Sequence, residues 1–519
     1  MCLFIASESA WYGDATTYAA DVLAGRLIEP GHLLWRPLGY LLHLTTGGSS
    51  YSAVLWKLQF LCLFASALAV MAMYLLAARL YGRHGAVTAA TLMALSNGFW
   101  TYAISGSSYS LSMLFAILAL HYAISPRSTA ATGAAAFAAG ALAGLSAATW
   151  GIQILAAPAI WLALVLTPAR AQSSIQQQLR NTTGLVAGFL LAFLIPLLTV
   201  YAIHTRGYSA APQGVHANSL TLASWLASSR HGIPAHYSVA QLLRVVIGWP
   251  QSIMSTSDLG SHLRLWRLHE AAFPVSAWLG VLIVFYLALA GAVWVLARNY
   301  AQLDSRDRGV IVACAAALGI NLLFAASWQG TDPERYFPSW PFQLLLVALL
   351  VKLLVTTHSP RRVAVVAGVA LVSIAVVNWY GTFESVLGSD SYRQTWLREL
   401  RRATTPRDLV VLFGQRSQLI GAPHDPNLPK IDNVSLEIEQ RGAGWRAAEL
   451  RDIAETKRRG GRVFLADTLF GTESRPRNGW SFREYPRPTP SELQEAFLPF
   501  RSDRVAFVVG TEKVWLGKD

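Results

Sequence analysis

The stretch VLWKLQFLCLFASALAVMAMYLLAARL at residues 54–80 decides the class of this chain. Its only charges are Lys57 near one end and Arg79 near the other. A helix of this length is longer than the ~30 Å hydrocarbon core of a bilayer, and nothing between the two charges resists burial in lipid. Working outward, comparable apolar stretches recur at 86–104, 107–125, 130–147, 149–168, 183–203, 273–297, 309–327, 338–356 and 362–380. Residues 1–380 are therefore expected to form a polytopic α-helical membrane domain of about ten spans.

Composition draws the same boundary. Only 14% of the 519 residues are charged, whereas a soluble domain carries about 25%. Of the 29 acidic residues, ten lie before residue 381 and nineteen after it; the 42 basic residues divide twenty and twenty-two. The basic excess of the first part reads as loop charge beside a bilayer and not as a nucleic-acid footprint. Residues 381–519 read as a soluble α/β domain. A helical pattern covers 392–403, a buried strand DLVVLFG covers 408–414, and a charged helix at 445–459 ends at Gly460–Gly461. A strand RVFLAD at 462–467, a helix at 490–497 and strands at 504–510 and 514–516 complete the alternation.

Short-loop charge orients the spans. Arg79, Arg83, Arg127, Arg170, Arg180, Arg298, Arg306, Arg308, Arg361 and Arg362 fall in one alternate set of loops, which the positive-inside rule places in the cytoplasm. The other face receives the first loop 8–53, the long loop 204–272, the segment 328–337 and the C-terminal domain. The expected location is a plasma membrane of bacterial inner-membrane type, with that domain outside. Loop 204–272 interleaves tryptophans with arginines, as in a helix lying at headgroup level. Met1–Ala6 is apolar, too short to span and preceded by no basic region; it reads as the last turns of a span and not as a signal peptide. The three cysteines have no metal-ligand spacing.

Chemistry concentrates in the first outer loop, W-Y-G-D-A-T-T-Y-A-A-D at 11–21 and E-P-G-H-L-L-W-R-P-L-G-Y at 29–40. Asp14 and Asp21, seven apart, share a helix face with Tyr18 between them. His32 and Arg36 follow the break at Pro30–Gly31. An acid, an imidazole and a guanidinium beside the bilayer suit activation of a hydroxyl and capture of a phosphate. They equally suit an amphipathic helix pair with solvated charges, and the residues alone leave both readings open.

Four motifs in order resemble the GT-C superfamily of polytopic glycosyltransferases, in particular its protein O-mannosyltransferase-like members. Asp14 in Y-G-D-A-T-T-Y-A stands where that superfamily has its first-loop acid. P-G-H-L-L-W-R-P-L-G-Y-L-L at 30–42 is similar to a His-Pro-Pro-Gly-Tyr segment. N-G-F-W-T-Y-A-I-S-G-S-S-Y-S-L at 97–111 matches a further segment at Trp100 and Tyr109, and D-P-E-R-Y-F-P-S-W-P at 332–341 looks like an Arg-Tyr…Pro signature. Ser107 stands where many relatives have glutamate, and Trp150 where some have histidine. The resemblance implies transfer of a hexosyl or pentosyl unit from a polyprenyl-phosphate donor to a lipid, glycan or protein acceptor on the non-cytoplasmic face. It implies Asp14 as catalytic acid–base residue, Arg335, Arg36 and Lys57 as donor-phosphate ligands, and His32, Asp21, Tyr18, Trp100, Tyr109, Glu334 and Tyr336 as substrate-binding residues. Simpler roles exist: Lys57 snorkelling to the interface, Trp100 and Tyr109 packing there, and Arg335 in an exposed pair with Asp332 or Glu334 worth at most about 1 kcal/mol. No ligand set for a divalent cation stands out, so metal dependence is left open. The competing functions are a transporter of lipid-linked intermediates, which calls for broken mid-membrane helices and internal repeats, and a non-catalytic assembly component.

Overall fold

The computed structural model describes residues 15–23, 25, 27, 31–47, 51–124, 132–166, 175–207, 239–254, 275–327, 330, 332–380, 392–413, 427–434, 444–470, 488–509 and 512–518. The membrane part opens with helices α1 (Ala15–Leu23), α2 (Trp35–Thr46), α3 (Tyr51–Leu95), α4 (Asn97–Ala103), α5 (Tyr109–Ile124) and α6 (Thr132–Thr149). A 3₁₀ turn, Gly151–Ala156, leads into α7 (Ala157–Leu166) and then α8 (Ile175–Gly207). Helices Val239–Ile253, Val275–Asn299, Ser305–Ser327, Trp340–Thr357 and Pro360–Asn378 complete it. Among the described residues six helices are long and apolar enough to cross a membrane, and three shorter apolar ones run over Tyr109–Ile124, Gly133–Thr149 and Gly151–Leu166. The protein is an integral membrane protein.

The expected spans 54–80 and 86–104 are two limbs of one hairpin. Within α3 the helix breaks at Gly82, whose φ of 78° lies in the left-handed region that side chains with a Cβ disfavour. The chain then returns: Gly106 rests against Leu58 and Gln59, and the Cys62 thiol donates to the Tyr102 carbonyl at 2.9 Å. Beside the break, Lys352 pairs with buried Asp307 at 2.8 Å and lies 5.5 Å from the Tyr81 ring centroid.

Helices α6 and α8 meet along two small-residue repeats, Gly140–Gly144 and Gly184–Gly188. A Cβ on Gly140, Gly144 or Gly188 would run into the backbone of Leu185, Phe189 or Phe137. Lipid gives helices no hydrophobic reason to associate, so close backbone approach supplies the attraction instead. The outer face of α8 is apolar and exposed at Leu190, Leu191, Leu194, Ile195 and Leu198, as a lipid-facing surface is.

The C-terminal part is a five-stranded mixed sheet in the order β2-β1-β3-β5-β4, with β1 Leu409–Leu412, β2 Lys430–Asn433, β3 Val463–Ala466, β4 Arg501–Val509 and β5 Glu512–Gly517. Strands β2, β1 and β3 are parallel; β5 runs antiparallel to β3 and β4. Helices form at Tyr392–Ala403, Trp445–Arg458 and Pro490–Phe497, where the sequence pattern places them. Strand β2 was not anticipated, because K-I-D-N is too polar to announce itself. One apolar cluster joins this sheet to the first loop, running from Tyr18, Trp35 and Val54 to Trp396, Phe464 and Phe507. Asp408 ties the sheet edge together: it accepts from the Arg462 guanidinium at 2.8 Å and from the backbone of Arg462 and Thr405 at 2.7 Å each.

Two predictions follow from this packing. Gly188→Val should lower stability by about 1–3 kcal/mol through overpacking, whereas Gly291→Val, with open space around it, should leave thermal unfolding in detergent nearly unchanged. Burial pushes the Asp408 carboxyl up, but the Arg462 and Thr405 hydrogen bonds outweigh it and hold the carboxyl below its ordinary range. Its stabilisation is therefore present above the unfolded value of about 3.9 and lost as pH falls through the lower folded value. Hydrogen exchange on the full chain should show protection of β1 and β3 falling on acidification below about pH 4, with a weaker acid dependence in Asp408→Asn.

Candidate functional site

The first loop folds inward. Gly31 accepts from the Gly151 backbone at 2.8 Å, and the Leu34 backbone donates to Ala148 at 3.1 Å. The Trp35 indole donates to the Gly106 carbonyl at 3.1 Å. These bonds seat the loop against the turn before α5 and the end of α6. They also carry four candidate side chains into one cluster. Tyr18 and Asp21, one helical turn apart on α1, are both buried. The Arg36 guanidinium pairs with Asp21 at 2.9 Å and lies 5.5 Å from the Tyr18 ring centroid. The Tyr18 ring is 5.1 Å from His32, whose Nδ1 is 2.7 Å from the Ser108 hydroxyl. Among the described residues of this loop, Asp21, His32 and Arg36 are thus enclosed by protein, where the amphipathic-pair reading had solvated charges.

Tyr109 links this cluster to a second one. Its ring lies 6.4 Å from His32 and 4.6 Å from Tyr102, with Trp150 at 4.8 Å and Phe337 at 6.1 Å. The Tyr102 hydroxyl donates to the Asp332 carboxylate at 3.3 Å, and both tyrosine rings pack on Phe337 of the turn that carries Glu334. Glu334 pairs with Arg335 at 2.5 Å, and Arg335 reaches Asp332 at 3.5 Å. All three acidic and basic groups sit on or beside the 3₁₀ turn Pro333–Ser339, which is buried throughout. Its backbone is pinned by Asn321, which donates to the Arg335 carbonyl at 2.5 Å and accepts from Ser339 at 2.7 Å. The expectation of an exposed, weak Arg335 pair is corrected: the side chains of Arg335 and Glu334 are 6% and 9% exposed.

Charge balance separates the three candidate phosphate ligands. Among the described residues Arg335 faces two carboxylates and Arg36 at least one. Lys57 donates to the Gly47 carbonyl, and among the described residues no carboxylate pairs with it. The remaining candidates divide. Tyr336 is fully buried with its hydroxyl on the Gly330 carbonyl and 3.4 Å from that of Val245, an anchoring position. Trp100 is half-buried on α4, and among the described aromatic contacts it does not join the Tyr109 group. Asp14 lies outside the described residues, immediately before α1. Tyr102, Phe337 and Ser108 were not singled out from sequence. Tyr102 lies in the quoted 97–111 segment, two residues past Trp100, and only its partner identifies it. Among the described residues no three His, Cys, Asp or Glu side chains gather as a metal site.

Removing Arg335 strands the buried Glu334 carboxylate and unpairs the partly exposed Asp332. Arg335→Met should therefore destabilise the protein by about 3–5 kcal/mol. Glu334→Gln leaves Asp332 to the guanidinium, so it should cost clearly less. Thermal unfolding of both variants checks the order.

No family model matches the sequence, and no curated protein matches it. Solved structures do. ArnT from Cupriavidus metallidurans in the apo state superimposes with a TM-score of 0.52 at 13% identity, covering 99% of this chain and 96% of that one. The same protein bound to undecaprenyl phosphate gives 0.49 at 11% identity, over 99% and 94%. The Archaeoglobus fulgidus oligosaccharyltransferase in the apo form gives 0.49 at 12% identity, over 90% and 67%. The apo ArnT match carries the fold and nothing finer: this chain is a multi-pass membrane protein with the fold of that structure and a C-terminal α/β domain.

Proposed function

We propose that the protein transfers a glycosyl unit from a polyprenyl-phosphate carrier to a nucleophile of an acceptor at the non-cytoplasmic membrane face. The observation that carries this reading is the junction at Tyr109, which brings the first-loop cluster against the Asp332–Glu334–Arg335 turn within a GT-C fold. In the proposed step the acceptor nucleophile attacks the anomeric carbon. The bond from that carbon to the carrier phosphate breaks, and its electron pair leaves with the phosphate. The proton of the acceptor passes to a carboxylate, for which Asp14, the residue preceding α1 in the sequence, is the candidate.

The leaving phosphate needs a cation whose charge is not already spent. Among the described residues Arg335 is matched by two acids and Arg36 by at least one, so Lys57 is the better counter-ion, its contact with the Gly47 carbonyl being neutral. On this reading Arg36 and Arg335 hold the framework, His32 and Tyr18 border the acceptor or sugar, and the bilayer delivers the carrier laterally.

Purified protein given a panel of polyprenyl-phosphate sugars should transfer label to acceptor. Asp14→Asn should lose about 10²–10⁴-fold in rate, and Lys57→Gln should raise the KM for the carrier while changing the unliganded melting temperature little. Undiminished transfer by Asp14→Asn would remove that residue from the mechanism. Absence of transfer by folded wild type across the panel would favour a non-catalytic assembly role.

A further inference from the structure

One buried polar side chain near this site is not used by the fold. Gln153 lies on the 3₁₀ turn Gly151–Ala156 and is 2% exposed, yet among the described residues neither its side-chain amide nitrogen nor its amide oxygen has a hydrogen-bond partner. Side chains three apart on a 3₁₀ turn eclipse one another. Burial here follows that period, with Trp150, Gln153 and Ala156 inside and Ile152, Ile154 and Leu155 more exposed. Trp150 immediately precedes the turn and accepts from the Gln153 backbone at 3.0 Å, and its ring contacts Tyr109 at 4.8 Å and Phe337 at 6.3 Å. The turn packs against both Pro333–Ser339 and α5, the two elements that supply the centre of the candidate site.

A buried amide with both edges unused is costly, and leucine or methionine would fill the same volume without that cost. Such a local conflict is the mark of a position kept for a ligand. The chemistry of the amide narrows that ligand. It presents donors on one edge and an acceptor on the other, without charge. A phosphate or an ammonium would use only one edge, whereas two adjacent hydroxyls on a sugar ring use both.

We propose that Gln153 is a binding residue for the transferred sugar, taking two adjacent free ring hydroxyls beside Trp150 and the Tyr109 junction. This rests on the glycosyl-transfer reading above and adds to it a substrate class: a glycosyl unit with an unsubstituted vicinal diol.

The test compares full-length wild type, Gln153→Leu and Gln153→Met in detergent, using undecaprenyl phosphate alone and undecaprenyl-phosphate glucose as probes. Without probe, both variants should melt at or above the wild-type temperature. Both should bind the bare carrier within about twofold of wild type and the sugar-bearing carrier about tenfold or more weakly, the worth of one to two neutral hydrogen bonds. Melting of both variants well below wild type would show that the amide is satisfied inside the protein, and would overturn the assignment. So would unchanged affinity for a sugar-bearing carrier that wild type prefers over the bare one. If wild type shows no such preference, the glycosyl-transfer reading fails and the assignment falls with it; the unliganded melting comparison then still reports whether the amide has a partner.

Discussion

A guanidinium and a carboxylate closed off from water, with a second carboxylate at their rim, hold one end of this protein in register. Taking an ion out of water costs several kcal/mol even after relaxation, so the Asp332–Glu334–Arg335 turn persists only because each charge is answered. Glu334 has Arg335; Asp332 has Arg335 and the Tyr102 hydroxyl; the backbone between them is pinned by Asn321. Shifting the turn would leave a bare charge among Phe337, Trp150 and Tyr102. Because the Tyr109 ring packs on Phe337 of this turn, the same constraint fixes the ring against which His32 packs, and through it the first loop. The arrangement is stiff where chemistry needs fixed geometry, and the tail sheet shares an apolar core with that loop.

Hydropathy made the membrane part legible, because burial in lipid leaves a signature in every residue of a span. It did not show how spans associate. The repeats G-A-L-A-G at 140–144 and G-L-V-A-G at 184–188 were visible in the sequence, but a small-residue repeat acquires meaning only when a second one faces it, as α6 and α8 do. In the tail the strong strands and helices follow their patterns. Strand β2 escapes, since an edge position lets an exposed Lys430 pair with the buried Asp432 at 3.0 Å.

The site was legible in its residue types and not in its pairings. The spacing of Tyr18 and Asp21, and the nearness of His32 and Arg36, pointed to one face of one loop. That Arg36 answers Asp21, that Arg335 is outnumbered by acids, and that Lys57 has no acid near it among the described residues are facts of three-dimensional charge balance. Tyr102 and Gln153 escaped for a different reason. In an apolar neighbourhood each reads as an ordinary core residue until its partners, or the lack of them, can be counted.

The break at Gly82 has an effect beyond local geometry. An unbroken helix over Tyr51–Leu95 would be roughly 67 Å long, about twice the thickness of a bilayer's oily interior. By folding back at one residue, the chain brings the serine-rich turn at 105–108 to the level where its first limb began. The two parts of the candidate site therefore meet at one end of the hairpin because of one achiral residue at its other end. A backbone hinge there sets which residues of the two limbs become neighbours.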